Sequence, residues 1–300
     1  MATLPRRRFL QLCAAVSALC ATKTRAAEPE LELGFSLYGM KSLSLADALR
    51  TCAEIGYKNV ELPLNPGFPT ELAALTDDKR RELRDLLAKN HLRVSALMLN
   101  LSLAATDAQH ADNVARIVAA GKLAHELDAE KPPLIETVLG GKPAEWEALK
   151  EKMAERLRGW AQAAEEAKTT VALKAHVGSA VNSPERLLWL LEQVKSPAIV
   201  VGYDYSHFEL AGLKLDETLR SLLPQTRFIH VKDTTGDSAK FQFLLPGQGR
   251  TDYGAYFALL REHGYRGPIV VEVSAQVFNK PGYDPVQAAR ESYAALAPKL

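Results

Sequence analysis

The chain has 300 residues, 47% hydrophobic and 24% charged, with no low-complexity tract, a composition that excludes disordered and fibrous classes. The formal charge is +1, but residues 1–26 hold Arg6, Arg7, Arg8, Lys23 and Arg25 and no acid, so the remainder carries 32 basic and 36 acidic residues, a net of −4. A slightly acidic body offers no electrostatic reason to expect nucleic acid as a partner.

The first stretch reads as a leader. Arg6-Arg7-Arg8-Phe9-Leu10-Gln11 precedes an apolar run from Leu12 to Ala21, too short to span a bilayer as a mature helix. Arg6-Arg7 ahead of Phe9-Leu10 resembles a twin-arginine signal, with Pro5 where Ser or Thr is usual. Residues 1–27 are therefore expected to be an export signal, cleaved after Ala26 or Ala27. The product would be periplasmic or otherwise extracytoplasmic, without stable membrane insertion; a retained N-terminal anchor is the alternative. Cys13 and Cys20 lie in this leader, which leaves Cys52 alone and rules out an intrachain disulfide or a cysteine metal cluster in the mature chain.

From Leu31 onward, strand-like and helix-like segments alternate. Leu31–Tyr38 is apolar, and Leu45–Ile55 has helical spacing with Ser44 as N-cap. Lys58–Leu62, Leu92–Leu99, Pro133–Val138 and Thr169–Ala175 read as strands, separated by helices over Thr76–Asn90, His110–Leu127 and Ala144–Lys168. A helix opens at Ser183-Pro184-Glu185, with Pro at its first position. Strands follow at Pro197–Tyr203, Arg227–Val231 and Pro268–Val273, and helices at Leu215–Leu223, Tyr253–His263 and Asp284–Leu296. Eight strand–helix units with no linker over residues 28–300 predict an α/β fold, a single-domain (β/α)8 TIM barrel. No Gly-x-Gly-x-x-Gly turn follows an early strand, which argues against a doubly wound dinucleotide fold.

Several strands end in residues able to hold a metal or move a proton, where a parallel barrel places its chemistry. Tyr203-Asp204 leads into His207, Ile229-His230-Val231-Lys232-Asp233 closes the next strand, and Val271-Glu272 closes the last. Glu61 ends the second strand, Glu136 the fourth, and Lys174 and His176 share one face of the fifth by period two. Lys232 and Asp233 read as a structural ion pair or loop support. Arg250, after the glycine loop Pro246-Gly247-Gln248-Gly249, either binds substrate oxygen or is solvated.

Tyr203-Asp204-x-x-His207, His230-Val231-Lys232-Asp233, Pro246-Gly247-x-Gly249 with Asp252, and Gly264-Tyr265-x-Gly267 before Val271-Glu272 together resemble the successive motifs of the xylose-isomerase-like barrel superfamily. That group includes sugar 3-epimerases, inosose dehydratases and endonuclease IV. The resemblance implies a divalent metal (Mn, Mg, Co or Zn) held by Asp204, His230 and Glu272. It also implies that Glu272 is a catalytic base and that His207 hydrogen-bonds a small-molecule carbohydrate substrate.

The chain departs from the family at strand five. Leu173-Lys174-Ala175-His176 stands where the superfamily carries Leu-Glu-x-His, so Lys174 replaces the first metal-binding Glu. Three readings stay open. Glu136 takes over as the missing ligand. Alternatively, metal is absent and Lys174 holds an enolate-like oxyanion. Or both coexist, with a Lys174 of depressed pKa shuttling protons. The expected activity is that of a sugar isomerase or epimerase, with Glu272, Lys174 and His207 catalytic and His176, Glu61 and Arg250 on the substrate. The runner-up is a lyase or dehydratase acting on a keto-sugar or keto-glycoside through the same enolate, and a non-catalytic sugar-binding barrel is the non-enzyme rival. The sequence leaves homo-oligomerisation open.

Overall fold

A computed structural model describes residues 31–300; the leader expected over residues 1–27 lies outside the described residues. Eight parallel strands close into a barrel: β1 (Glu32–Ser36), β2 (Asn59–Pro63), β3 (Arg93–Met98), β4 (Leu134–Val138), β5 (Val171–Lys174), β6 (Ile199–Asp204), β7 (Thr226–Val231) and a last strand, Pro268–Val271. The last strand pairs with β7 on one side and with β1 on the other, Glu32 opposite Pro268 and Phe35 opposite Val271, which seals the sheet and leaves it no edge.

The helices pack between consecutive strands as the spacing predicts: α1 (Leu45–Ile55), α2 (Asp77–Lys89), α3 (Asp107–Leu127), α4 (Trp146–Glu166) and α5 (Pro184–Val194). Ser44, Thr76, Thr106 and Ser183 each accept a backbone N–H from the first turn of the helix that follows. α3 begins earlier than its apolar spacing suggests, because Thr106 and Gln109 form a reciprocal capping box ahead of the periodic run. A short α6 (Tyr205–Leu210) and α7 (Leu215–Leu222) follow β6.

Beyond β7 the chain makes an antiparallel hairpin, β8 (Asp233–Gly236) with β9 (Phe241–Leu244), which the strand–helix alternation does not announce. Then come α8 (Tyr253–Glu262), β10 (Pro268–Val271, the last barrel strand), α9 (Ala275–Phe278) and α10 (Pro285–Leu296). Among the described residues no helix is long and apolar enough to cross a membrane.

Period two along each strand sorts the barrel interior into layers. Ala96, Ala172, Val200, Phe228 and Val270 form a buried apolar cluster, with Leu134 packed against it. Two residues further along, on the same faces, stand Met98, Lys174, Gly202, His230, Glu272 and Glu136. The cluster is thus a floor, and the charged residues lie above it at the C-terminal strand ends. Phe228 sits edge-on to the His230 ring, centroids 4.7 Å apart.

Candidate active site

A cavity of about 220 Å³ opens at the C-terminal end of the barrel. Glu136, Lys174, His176, His207, Lys232 and Glu272 supply its charged and titratable wall, and Tyr38, Met98 and Phe243 much of its apolar one. β4 and β5 deliver Glu136 and Lys174, β10 leads straight into Glu272, and β7 leads into Lys232, two residues past His230 on the same face.

Lys174 points into the barrel and is almost fully buried. Its Nζ lies 2.8 Å from His230 Nδ1, 3.2 Å from Glu272 Oε2 and 3.1 Å from Glu136 Oε1. Burial opposes its charge, but Glu136, Glu272, Asp204 and Glu61 together outweigh burial and hold the ammonium above its ordinary range. A Lys174 raised by these carboxylates runs against the expectation of a depressed-pKa proton shuttle: Glu136 and Glu272 lie in direct contact with its ammonium and favour its charge.

Lys232 is the residue that sequence reasoning undervalued. Its Nζ donates to Glu272 Oε2 at 2.6 Å and to Asp204 Oδ2, and it stands 5.0 Å from the centre of the Phe243 ring. Its alternation with His230 was the available signal for an inward direction. Asp233, one residue on, faces away and supports a loop: its Oδ2 accepts the backbone N–H groups of Gly247 and Gly249, both at 2.8 Å. Gly249 is required there, because a Cβ would lie 2.7 Å from both Asp233 Cβ and the Thr234 carbonyl oxygen.

Beneath the wall lies a second tier. His230 is fully buried; its Nε2 donates to Glu61 Oε2 at 3.0 Å while Nδ1 accepts from Lys174, a pattern that assigns the neutral tautomer. Glu61, expected on the substrate, is therefore fully buried behind His230 and off the cavity wall. Asp204 caps α6, accepting from Ser206 N at 3.2 Å, and its Oδ2 stands 3.4 Å from His207 Nε2. Burial raises the Asp204 carboxyl, but Lys232 and His207 outweigh it and hold it well below the usual range. Glu272 is likewise held down, by Lys174 and Lys232 against burial. Burial, the leading influence on Glu136, raises it.

His176 and His207 pack ring to ring with centroids 4.2 Å apart. Their Nδ1 atoms accept the Gly178 and Val177 backbone N–H groups, at 3.0 and 3.4 Å, so each ring carries its proton on Nε2. Burial, reinforced by neighbouring cations, pushes His176 down to about 2 and His207 down to about 4. Two neutral imidazoles thus face the cavity. Arg250 does not: its guanidinium donates to the Glu209 and Gly236 carbonyl oxygens, each at 3.2 Å. The loop tied to Asp233 carries that side chain towards α6 and the hairpin, away from the cavity wall.

The ligand set implied by the resemblance does converge. Asp204, His230 and Glu272 present ligand atoms within 4.8 Å of one another, and Glu61, Glu136 and His230 form a second such group. Each of Asp204, His230 and Glu272, however, already accepts from an ammonium. A divalent ion among those atoms would meet the Lys174 and Lys232 charges at contact distance. The residues as they stand do not fit a metal, and no chemical step is derived through one.

Fold and site define a (β/α)8 barrel of the kind that works at its strand ends. The profile of the xylose isomerase-like TIM barrel family matches residues 49–299, and the chain belongs to that family. An inosose dehydratase of Clostridium tetani is 26% identical over 194 residues, which cover 60% of this chain and 59% of that protein. The fold matches the probable 3-DHS dehydratase AsbF, involved in petrobactin synthesis in Bacillus anthracis, at a TM-score of 0.73 and 17% identity, over 89% of this chain and 99% of that one. It matches a 3-keto-D-glucoside 4-epimerase from E. coli at 0.71 and 16% identity, over 90% and 100%. An IOLI protein with a bound zinc atom scores 0.71 at 18% identity, over 90% and 99%. These structural likenesses are of fold.

Proposed function

We propose that this protein removes the proton next to a carbonyl of a polyhydroxylated, carbohydrate-like substrate and expels water from the neighbouring carbon. The observation that carries the reading is the juxtaposition, on one cavity wall, of the ionised Glu272 carboxylate and the Lys232 ammonium, 2.6 Å apart and faced by two neutral imidazoles. Glu272 takes the C–H proton. Lys232 has a third N–H beyond the two it gives to carboxylates, and it turns that donor to the developing enolate oxygen.

The protonated Glu272 then delivers its proton to the departing hydroxyl on the same face. The C–H and C–O bonds break, a C=C bond forms in conjugation with the carbonyl, and the proton and hydroxyl leave as water. His176 presents an Nε2–H donor that orients a substrate oxygen, and His207, whose Nε2 is turned to Asp204 Oδ2 at 3.4 Å, supports it ring to ring. The dehydratase names among the relatives support elimination. Return of the proton to carbon instead of oxygen is epimerisation, a reading favoured by the likeness to the E. coli epimerase.

Incubation with an inosose and with 3-keto-glucosides in D2O tests the reading. A product absorbing in the ultraviolet is the expected result. A mass-neutral product carrying solvent deuterium would assign isomerisation in its place. Saturable binding with neither exchange nor turnover would sink the enzyme reading in favour of a sugar-binding barrel. We further propose that the protein is exported, on the strength of the Arg6-Arg7-Arg8 leader. N-terminal sequencing of the protein from a periplasmic fraction is expected to begin near Ala27, and retention of intact chain in the cytoplasm would refute it.

A further inference from the structure

In a barrel whose strand ends gather four buried or nearly buried carboxylates, Glu61, Glu136, Asp204 and Glu272, something positive must neutralise them. Here the chain supplies it. Lys174 and Lys232 are 3% and 4% exposed and reach the same point from different strands, meeting at Glu272 Oε2 at 3.2 and 2.6 Å. Lys174 also bonds His230 Nδ1 at 2.8 Å, and Lys232 bonds Asp204 Oδ2. Every member of the Asp204–His230–Glu272 group is thus engaged by an ammonium proton. Neither lysine has an easy retreat: the floor below is apolar, and drawing either ammonium off its carboxylates would leave it buried and unpaired.

We propose that the two ammonium groups are the resident cation of this barrel: Lys174 and Lys232 hold the strand-end carboxylates in place of a divalent metal, and Lys174 is what excludes the metal. Its Nζ lies among His230, Glu272 and Glu136, at the meeting point of both groups of convergent ligand atoms, and links them. Exchanging that repelling charge for a carboxylate removes the obstacle and adds a ligand.

The experiment is a calorimetric titration of the purified full chain with Mn²⁺ and with Zn²⁺, alongside metal analysis after dialysis, for the wild type and for Lys174→Glu. The wild type is expected to bind neither ion stoichiometrically and to keep its melting temperature when either is added. Lys174→Glu is expected to gain roughly a thousandfold in affinity, the size of one unit-charge contact near a protein surface, and to melt at a temperature that rises with metal concentration. A wild type that takes up one ion per chain with a raised melting temperature overturns the proposal. So does a variant with wild-type circular dichroism that still binds none. Should Lys174→Glu fail to fold, Lys174→Gln, neutral and of similar reach, is expected to bind Mn²⁺ more tightly than the wild type, and equal affinity overturns the role of Lys174. The titration reads binding and not turnover, so its outcome is independent of whether the proposed elimination is correct.

Discussion

At the scale of single residues, the site depends on which carboxylate can act and which cation can follow the charge. Glu272 is the more accessible of the two wall carboxylates, its side chain 12% exposed against 2% for Glu136. Glu272→Gln is expected to lower kcat by about 10²–10⁴-fold, the span of general base catalysis, with circular dichroism unchanged because Lys174 retains Glu136 and Lys232 retains Asp204. A Glu136→Gln variant that lost as much would move the base to β4. Lys232→Met is expected to lower kcat by about 10²–10³-fold while KM moves little, since the oxyanion it holds exists only beyond the ground state; an equal loss in KM alone would make it a binding residue. Of this set, Asp204, His230 and Glu272 were legible from motif spacing. Lys232 was legible only as a direction, by its alternation with His230. Arg250 was misjudged because a glycine loop leaves the course of its side chains undetermined until the loop's anchor, Asp233, is known.

At the scale of elements, the β8–β9 hairpin and the glycine loop act together on the cavity. The hairpin carries Phe243 to the wall, edge-on to His207 with centroids 5.3 Å apart, and Asp233 at its first position clamps Gly247 and Gly249. Gly249→Ala drives a Cβ into Asp233 and the Thr234 carbonyl. It is expected to cost about 1–3 kcal/mol, read as a lower urea midpoint, and to raise KM as Phe243 shifts; unchanged stability would mean the loop can yield without the hairpin. The eight strands and the main helices were readable because alternation and helical spacing are written over long stretches. The hairpin was not: β8 and β9 have four residues each, and their apolar side chains serve a loop cluster instead of the barrel core.

At the scale of the whole molecule, the buried titratable groups set the response to acid. His176 and His207 are held below the ordinary imidazole value near 6.5, so between about pH 6.5 and 4 the unfolded chain binds protons that the folded chain refuses. Stability is therefore fully present above that window and falls as pH drops through it. Asp204 and Glu272 are held below the ordinary carboxylate value, so their contribution is present above about pH 4 and is lost further down. The expected profile is a decline of up to about 2–3 kcal/mol per pH unit between pH 6.5 and 4.5, two imidazoles each adding about 1.4, reduced near its acid end by Glu136, whose raised carboxyl takes up its proton earlier in the folded chain. Urea midpoints measured across that range check it. His176→Gln is expected to roughly halve the slope, and a flat wild-type profile would show the imidazoles to be charged in the folded protein.

The sequence by itself determined the barrel and its single-domain extent, because period-two strands and capped helices are local patterns that survive without coordinates, and the resemblance carried by its ordered motifs implied the family and the grouping of Asp204, His230 and Glu272. Only the tertiary structure decided what those residues do to one another. Glu61 and His230 are 169 residues apart, and barrel closure alone sets one behind the other. The charge on Lys174 is the sum of a field from four carboxylates on four strands, opposed by burial. Neither the distances nor that sum is a property of any segment, which is why the lysine that broke the family pattern had no definite role until the strand ends were brought together.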